Sequence, residues 1–554
     1  MPQRRATEDL GLWSLPPAWI STPLMRPDHR GPVDRPYRPL ADPAQASPML
    51  LTLQAVAAAR PDEVAIEDAS GSVTFGGLMR AISALAARIA QAPPGPVAVL
   101  LAAGGDYAIA VFASLAASRL CVLLDASYPD ERNAAVAAAT GVSVAVIGQG
   151  QAAPAWPGVS AVHAQQAQTT VPEPLISFMD LDEPAFVLCT SGSSGLPKAI
   201  VHTQRTMLHW ARTTHEALHV TPSDRVLTLS SLSTLGGFTA LLSYPLAGAA
   251  IQMLDVKTAG LGRLIAVLRD RPVSILRATP SLLRSLVGMP GARAAFGRLR
   301  VVQTYGEPLM KADCASIRGV LPADCLVRST YGSTEASGLS WFVRADDDDY
   351  DPFRAPAGTL MPDTEASIRD AEGAPCRFGE PGELWIRSRY NAIGEWRDGA
   401  VSRGPFEPDP HDSASRIFRT GDMAVAHPDG VFVVLGRLDR MAKINGQRLE
   451  PAEVEAALRR CPDVARAAVV VRHRGGKAAA LIAFVVAGAG STPELAAELR
   501  AMLRGELPGF MVPSRILLVP DIPLLPGGKV DEAELVAIAE RRQVPEGSTM
   551  IAGR

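Results

Sequence analysis

The chain has 554 residues, several times the roughly 100–200 of an ordinary domain, and 47% of them are apolar and 20% charged, so a small disulfide scaffold and a disordered chain are both excluded. Lys and Arg number 54 against 57 Asp and Glu, a net charge of −3, which gives no global electrostatic reason to expect nucleic acid or acidic lipid as a partner. Glycine (47) and proline (46) make up about one residue in six, which predicts many turns and strand–loop junctions rather than a helical bundle.

From the N-terminus, residues 1–45 read as an irregular arm. Proline recurs there (Pro16, Pro17, Pro23, Pro27, Pro32, Pro36, Pro39, Pro43), which blocks regular helix and sheet. The arm is read either as laid over the main domain or as a disordered leader. No apolar h-region follows the first residues, and no uncharged apolar run reaches the ~18 residues of a membrane span. The longest candidate, Ala478 to Gly490, reads as a buried strand. The expectation is a soluble, cytoplasmic protein.

Residues 48–59 have helical spacing. Val64–Ile66 and Val97–Leu101 are short apolar runs like buried strands, with a helix over Phe75–Ala90 between them. A helix over Ala108–Ser118 and a strand over Cys121–Leu124 continue the alternation. Further strands are predicted at Val144–Ile147, Val226–Leu229, Ile251–Leu254, Ile275–Leu276, Val301–Gln303 and Leu326–Val327. Strands alternating with helices predict an α/β fold, a parallel sheet with helices on both faces. After about 355 the texture changes to strands and turns (Ala366–Ile368, Gly382–Ile386, Gly430–Leu435), predicting a smaller antiparallel or barrel-like subdomain. A last unit reads strand Met441–Asn445, helix Pro451–Arg459, strands Ala465–Arg472 and Ala479–Val486, helix Leu495–Leu507 and strand Arg515–Val519, a compact α+β domain. Arg541 to Arg554 reads as a frayed tail.

The strongest chemical signal is Phe186-Val-Leu-Cys-Thr-Ser-Gly-Ser-Ser-Gly-Leu-Pro-Lys198. An apolar strand runs into a loop of small hydroxyl residues and glycines closed by a lysine. Glycine lets backbone N–H groups approach an anion closely, hydroxyls add donors, and Lys198 adds a charge. The loop therefore reads as a phosphate cradle, with a flexible surface turn as the other reading. It is not the Walker loop, because the spacing differs. The six cysteines (121, 189, 314, 325, 376, 461) include no C-x-x-C pair, which fits reduced thiols, and Cys189 reads as core.

Other segments extend the pattern in order: Val73-Thr-Phe75, Leu123-Leu-Asp-Ala-Ser-Tyr-Pro-Asp-Glu-Arg132, Tyr305-Gly-Glu-Pro-Leu309, Tyr331-Gly-Ser-Thr-Glu335, Phe418-Arg-Thr-Gly-Asp422, Gly436-Arg-Leu-Asp439, Lys443-Ile-Asn-Gly-Gln-Arg-Leu-Glu450 and Pro523-Leu-Leu-Pro-Gly-Gly-Lys-Val-Asp531. With the phosphate loop, this series resembles the adenylate-forming superfamily of acyl-CoA synthetases, nonribosomal peptide synthetase adenylation domains and firefly-luciferase-like enzymes. The resemblance covers roughly residues 50–535. It implies a large N-terminal domain (46–438) of two αβαβα-type sheets plus a distorted β-barrel subdomain. A small mobile α+β C-terminal domain (439–540) follows, and then a tail (541–554).

The resemblance also implies an activity. A carboxylic acid and Mg-ATP would give an acyl-adenylate and pyrophosphate, and a phosphopantetheine thiol would then take the acyl group. It assigns ATP binding to Thr190, Ser191, Gly192, Ser193, Ser194, Gly195, Lys198, Gly306, Glu307, Pro308, Tyr331, Gly332, Thr334, Asp422 and Arg437. Tyr331 would stack on adenine, Thr334 would contact the α-phosphate, and Glu335 would hold Mg²⁺, a hard cation that favours carboxylate and phosphate oxygens. Asp422 would accept from the ribose hydroxyls. Lys529 would be the adenylation lysine, placed where charge accumulates in the transition state. Asp439 would be a hinge whose rotation exchanges Lys529 for the Lys443 face.

The segments around Leu124–Pro129, Phe418–Asp439 and Lys443–Pro451 look closest to peptide-synthetase adenylation domains, which favours a carrier protein over free CoA as the acceptor. No carrier-motif serine follows Lys529, so the carrier is expected to be a separate protein. The substrate pocket is assigned to Leu235, Gly236, Thr239, Arg277, Gln303, Tyr305, Thr330, Gly338 and Leu339. Leu235 stands where amino-acid-activating relatives carry an Asp for the α-ammonium. An apolar residue cannot pair that charge, so an acid without an α-amino group is expected. Arg277 is read either as the receiver of a second carboxylate or other polar acceptor, or as an arginine turned to solvent at a strand end. Amino-acid adenylation, an acyl-CoA ligase, a non-catalytic binding module and a luciferase-like oxygenase are the competing classes. The presence of Lys198, Glu335, Asp422, Arg437, Lys443 and Lys529 speaks against the binding module.

Overall fold

The computed structural model describes residues 18–21, 35–37, 40, 48–164, 179–190, 198–344, 350–351, 353–438, 442–444, 447–449, 451–474, 477–488, 494–507, 509–524 and 530–541. The chain divides into two compact units. The first comprises Met1–Leu309, Asp313–Thr420 and Ala424–Val434, and the second Met310–Ala312, Gly421–Met423 and Leu435–Arg554.

Two large sheets build the first unit. One has nine strands in the order Thr359–Leu360, Ser337–Phe342, Leu326–Gly332, Val301–Tyr305, Ile275–Ala278, Arg225–Thr228, Ala250–Met253, Val64–Asp68, Gly71–Thr74. The other has eight: Ala400–Ser402, Gly394–Arg397, Lys198–Thr203, Pro184–Thr190, Cys121–Leu123, Val97–Leu100, Val144–Ile147, Ser160–His163. Both are parallel at their centres, as the apolar runs predict, but not throughout. Gly71–Thr74, Ser337–Phe342 and Lys198–Thr203 return antiparallel to their neighbours. These hairpin returns carry mixed sequence, which hides them from a reading based on apolar runs.

One apolar core joins the two sheets. It takes Val97, Val99 and Phe186 from the eight-stranded sheet, and Ile66, Val226 and Ile251 from the nine-stranded one. The helices Met49–Ala59, Phe75–Gln91, Gly105–Ala116 and Leu235–Leu246 contribute to it as well. Phe75–Gln91 shows why such a helix forms. Thr74 caps it by accepting from the Gly77 N–H at 3.1 Å, and Leu78, Ile82, Leu85 and Ile89 recur on one buried face. Phe238, fully buried on Leu235–Leu246, meets Phe186 edge-on at 4.9 Å, so this helix is locked to the strand that feeds the phosphate loop. Truncating such a ring costs about 3–5 kcal/mol in a core.

The third sheet is the antiparallel subdomain expected after residue 355. It has six strands, Ile20–Ser21, Glu365–Arg369, Gly382–Ser388, Arg416–Ala426 and Phe406–Pro408, with Phe432–Arg437 also on Arg416–Ala426. The second unit holds the three-stranded sheet Val464–Arg474, Lys477–Ala487, Arg515–Leu518 with helices Pro451–Leu458, Leu495–Glu506 and Glu532–Arg541. The last helix is not among the elements predicted from sequence; its buried apolar positions, Leu535 and Ala539, are too few to give a periodic signal.

The proline argument for residues 1–45 fails at one point. Ile20–Ser21 pairs antiparallel with Ala366 and Glu365 at the edge of the third sheet. Trp19 beside it lies between the guanidinium groups of Arg387 (4.6 Å) and Arg369 (5.3 Å), and Arg369 also covers Trp385 at 4.8 Å. Arg35, further along, donates to Asp224 at 3.2 Å, and Tyr37 stacks on His219 at 4.2 Å. Asp224 is a fully occupied buried carboxylate. It takes two 2.8 Å bonds from Arg300, one of 2.8 Å from Ser274 and one of 2.9 Å from the Thr221 N–H. Burial alone would raise its pKa, but the Arg300 contacts together with the Thr221 and Ser274 hydrogen bonds outweigh burial and hold it below the ordinary value.

Two cation–π contacts thus hold Trp19. Trp19→Ala is expected to speed amide exchange at Ile20, Ser21, Glu365 and Ala366 about tenfold, with the two large sheets unaffected. Unchanged protection at those four amides would show that strand pairing alone holds the segment.

Candidate functional site

The parallel strands Ile275–Ala278, Val301–Tyr305 and Leu326–Gly332 run in register and end together. Their carboxyl ends deliver Gly306, Glu307 and Pro308 beside Tyr331 and Gly332, with Thr334 and Glu335 in the turn that follows. Ligands in open α/β sheets bind at such ends. From the other sheet, Thr190 and Lys198 face each other across the hairpin that carries the phosphate loop. Ser191, Gly192, Ser193, Ser194 and Gly195 lie outside the described residues.

One bond ties the two sheets at this point. His202, on the strand that starts at Lys198, donates from Nε2 to the Thr334 carbonyl at 2.8 Å. A carbonyl only accepts, so Nε2 carries the proton. His202 is fully buried. Burial pushes its pKa down to about 4, against the opposing pull of the Thr334 bond. The imidazole is therefore neutral. The motif reading passes over His202; the available signal is its place four residues after Lys198 in a strand that is buried from Ala199 onward.

Glu335 is half-buried, and its carboxylate has no partner among the described residues, while its carbonyl accepts from the Ala392 N–H at 2.9 Å. A lone carboxylate beside the Thr334 hydroxyl suits Mg²⁺, which takes one or two protein carboxylates and completes its shell with phosphate and water. Tyr331 is half-buried with Gly338 against it: a Cβ on Gly338 would stand 3.2 Å from the Tyr331 ring and 3.0 Å from Ile386. The Glu307 side chain has partners within the fold. Its carboxylate accepts from the Ser281 N–H (3.0 Å) and hydroxyl (2.7 Å), capping the helix Pro280–Val287. Free N–H groups at a helix start draw a carboxylate, so this side chain is engaged in structure.

Of the assigned pocket residues, Gly236, Thr239, Arg277 and Tyr305 meet at the start of helix Leu235–Leu246. Thr234 caps it, and its first turn approaches its neighbours so closely that only glycine fits. A Cβ on Gly236 would stand 2.6 Å from the Tyr305 ring, and one on Gly237 2.2 Å from the Ser231 carbonyl. Thr239 donates to the Leu235 carbonyl at 2.8 Å, and Tyr305 OH pairs with Ser230 Oγ at 2.6 Å. Thr330 donates to the Thr304 carbonyl at 3.0 Å, and Leu339 is fully buried. Leu235 is partly buried against the apolar core. Arg277 is 4% exposed, which overturns the reading that it turns to solvent: the helix Leu235–Leu246 covers it with Thr239 and Tyr244, and the Tyr305 ring lies on it as well. Its Nη2 reaches Thr239 Oγ1 at 3.4 Å.

In the second unit, Asp422 and Arg437 form an ion pair at 3.8 Å. Gly421 before Asp422 has φ +69°, and its carbonyl accepts from the Leu438 N–H at 2.7 Å, which sets the two side chains together. Asp439, Lys529 and the Lys443 side chain lie outside the described residues. The thiols take no visible part. All six cysteines are unpaired, and burial raises Cys121 and Cys189 to about 12. Among the described residues no helix is long and apolar enough to cross a membrane.

The AMP-binding enzyme family matches residues 53–396, and the AMP-binding enzyme C-terminal domain matches 453–529. The chain belongs to the AMP-binding enzyme family. It is similar to a plipastatin synthase polypeptide of Bacillus subtilis (strain 168), 30% identical over 518 residues, 89% of this chain and 19% of that protein. Phosphinothricin tripeptide synthetase PhsC of Streptomyces viridochromogenes is 30% identical over 546 residues, 94% of this chain and 48% of that protein. The chain thus spans about a fifth to a half of the length of these relatives. A benzoate CoA ligase from Burkholderia xenovorans LB400 shares the fold with a TM-score of 0.74 at 22% identity, covering 88% of this chain and 99% of that one. A four-domain nonribosomal peptide synthetase bound to AMP and glycine gives 0.76 at 22% identity, covering 93% and 37%.

Two buried histidines set a pH limit on the fold. His202 and His215 both have folded pKa values of about 4 because burial disfavours the charged ring. Unfolding raises them to about 6.5, so only the unfolded chain binds these protons between pH 6.5 and 4. Their stabilisation is whole above pH 6.5 and is lost as pH falls, about 3 kcal/mol for each at full effect. Urea midpoints should fall steeply from pH 7 to 5, and His202→Gln with His215→Gln should flatten that slope. An unchanged slope in the double variant would refute the assignment.

Proposed function

We propose that this chain activates a carboxylic acid with ATP, releasing pyrophosphate, and passes the acyl group from the acyl-adenylate to the phosphopantetheine thiol of a carrier protein. The observation that carries the reading is the Thr334–Glu335 turn at the ends of parallel strands, tied by the His202–Thr334 bond to the sheet whose hairpin carries Lys198, in a member of the AMP-binding enzyme family.

In the first step a carboxylate oxygen attacks the α-phosphorus and pyrophosphate leaves. Lys198 and the phosphate-loop donors hold the phosphates, Tyr331 covers the adenine, and Thr334 aligns the α-phosphate. Mg²⁺, held by Glu335 and phosphate oxygens, would neutralise charge on the triphosphate when bound. Lys529 stabilises the charge that grows at the α-phosphate and on the departing pyrophosphate. Asp422 and Arg437 serve the ribose. In the second step the thiol attacks the carbonyl carbon and AMP leaves with the bridging oxygen. Asp439 is the hinge, and Lys443 belongs to the face used for this step.

The pocket supports an acid without an α-amino group. Its nine assigned residues include no carboxylate, and an ammonium there would meet Leu235 and the guanidinium of Arg277. The carrier protein is favoured by the motif likeness and by the peptide-synthetase relatives.

The test is acid-dependent pyrophosphate release over amino acids, aryl acids, short fatty acids and dicarboxylic acids, with CoA and with a phosphopantetheinylated carrier protein as acceptors. Release with a non-amino acid and acyl transfer to carrier alone are expected. Acyl-CoA formation would replace the carrier reading, and an α-amino acid as the preferred substrate would overturn the pocket register. Lys529→Ala should abolish ATP–pyrophosphate exchange yet transfer acyl groups from supplied acyl-adenylate; surviving exchange would remove Lys529 from the mechanism.

A further inference from the structure

The pocket floor is a row of polar side chains with too few partners. Thr228, Arg277 and Gln303 stand side by side in the register of three adjacent parallel strands, and are 1%, 4% and 3% exposed. The Thr228 hydroxyl, the Arg277 Nε and the Gln303 Oε1 are all buried without a hydrogen-bond partner. A guanidinium has five N–H donors, and this one makes a single long bond, to Thr239. Among the described residues no carboxylate pairs with it, although a buried arginine ordinarily has one. Its plane is held near the Tyr305 and Tyr244 rings, with centroids at 5.2 and 5.8 Å, which fixes the cation without satisfying its donors.

We infer that Arg277 binds the far end of the substrate, and that the acid is a dicarboxylic acid: one carboxylate is adenylated, and the other accepts hydrogen bonds from Arg277. The inference rests on the reading under Proposed function and specifies its substrate class. A carboxylate matches the planar fork of a guanidinium and supplies the missing countercharge. An aliphatic or aryl tail without an acceptor would leave the cation buried and unpaired, which selects against it. The Gln303 amide, next in register, is available to a second polar feature of the same acid.

The experiment compares ATP–pyrophosphate exchange by the full chain with dicarboxylic acids of graded length, their methyl half-esters and the matching monocarboxylic acids. Wild type, Arg277→Met and Arg277→Lys are run in parallel. In wild type the best diacid should exceed its half-ester about a hundredfold in kcat/KM. Arg277→Met should erase that ratio by lowering kcat/KM for the diacid far more than for the half-ester, and Arg277→Lys should restore part of it. A purely structural role for Arg277 would lower both substrates together. Preference for half-esters or monoacids in wild type, or an unchanged ratio in Arg277→Met, overturns the inference. Should Arg277→Met fail to fold, the wild-type ratio decides alone. Exchange with uncharged-tail acids only overturns this inference and leaves adenylation standing; exchange with no acid of any class overturns both.

Discussion

The site depends on a bond between two sheets. The phosphate-loop hairpin belongs to the eight-stranded sheet, and the Thr334–Glu335 turn follows a strand of the nine-stranded one. The His202 imidazole joins the two sheets at 2.8 Å, and burial keeps it neutral, so it acts as a fixed, uncharged donor. The shared apolar core makes the closure rigid, with Phe186 and Phe238 packed at the strand that enters the loop.

The acyl pocket obeys a different constraint, close approach. Gly236 and Gly237 let the start of one helix press on Tyr305 and on the Ser231 carbonyl, which brings Leu235 and Thr239 over the polar row of the strands. The same strands end in the nucleotide residues, because Gln303 and Tyr305 lead directly to Gly306 and Thr330 leads to Tyr331. On the proposed reading, substrate pocket and nucleotide site are therefore joined by chain continuity. A shift of one residue along either strand would move both.

Much of this is legible in the chain itself. Buried parallel strands write themselves as short apolar runs, so Val97–Leu100, Val144–Ile147 and Val301–Tyr305 are found within a residue or two. The motif residues Tyr331, Thr334 and Glu335 are legible because their kinds and spacing recur in order along the family. The two-residue strand Ile20–Ser21 lacks a run long enough to register, and its pairing is set by partners far away in sequence. A local motif cannot reveal that the Glu307 carboxylate is held at a helix N-terminus 26 residues upstream. Arg277 has two readings for the same reason: its burial comes from the helix packed over its strand, which brings Thr239 and Tyr244 to it, not from its neighbours in the chain.

Central to this chemistry is that a substrate carboxylate attacks the α-phosphorus of ATP and that the thiol later attacks the carbonyl carbon. The most direct test is the fate of oxygen from an acid labelled with ¹⁸O in its carboxylate, followed by mass spectrometry through a full turnover. AMP carrying one labelled oxygen and pyrophosphate carrying none is the expected result. Label in pyrophosphate or in inorganic phosphate, or unlabelled AMP with the thioester formed, would contradict it.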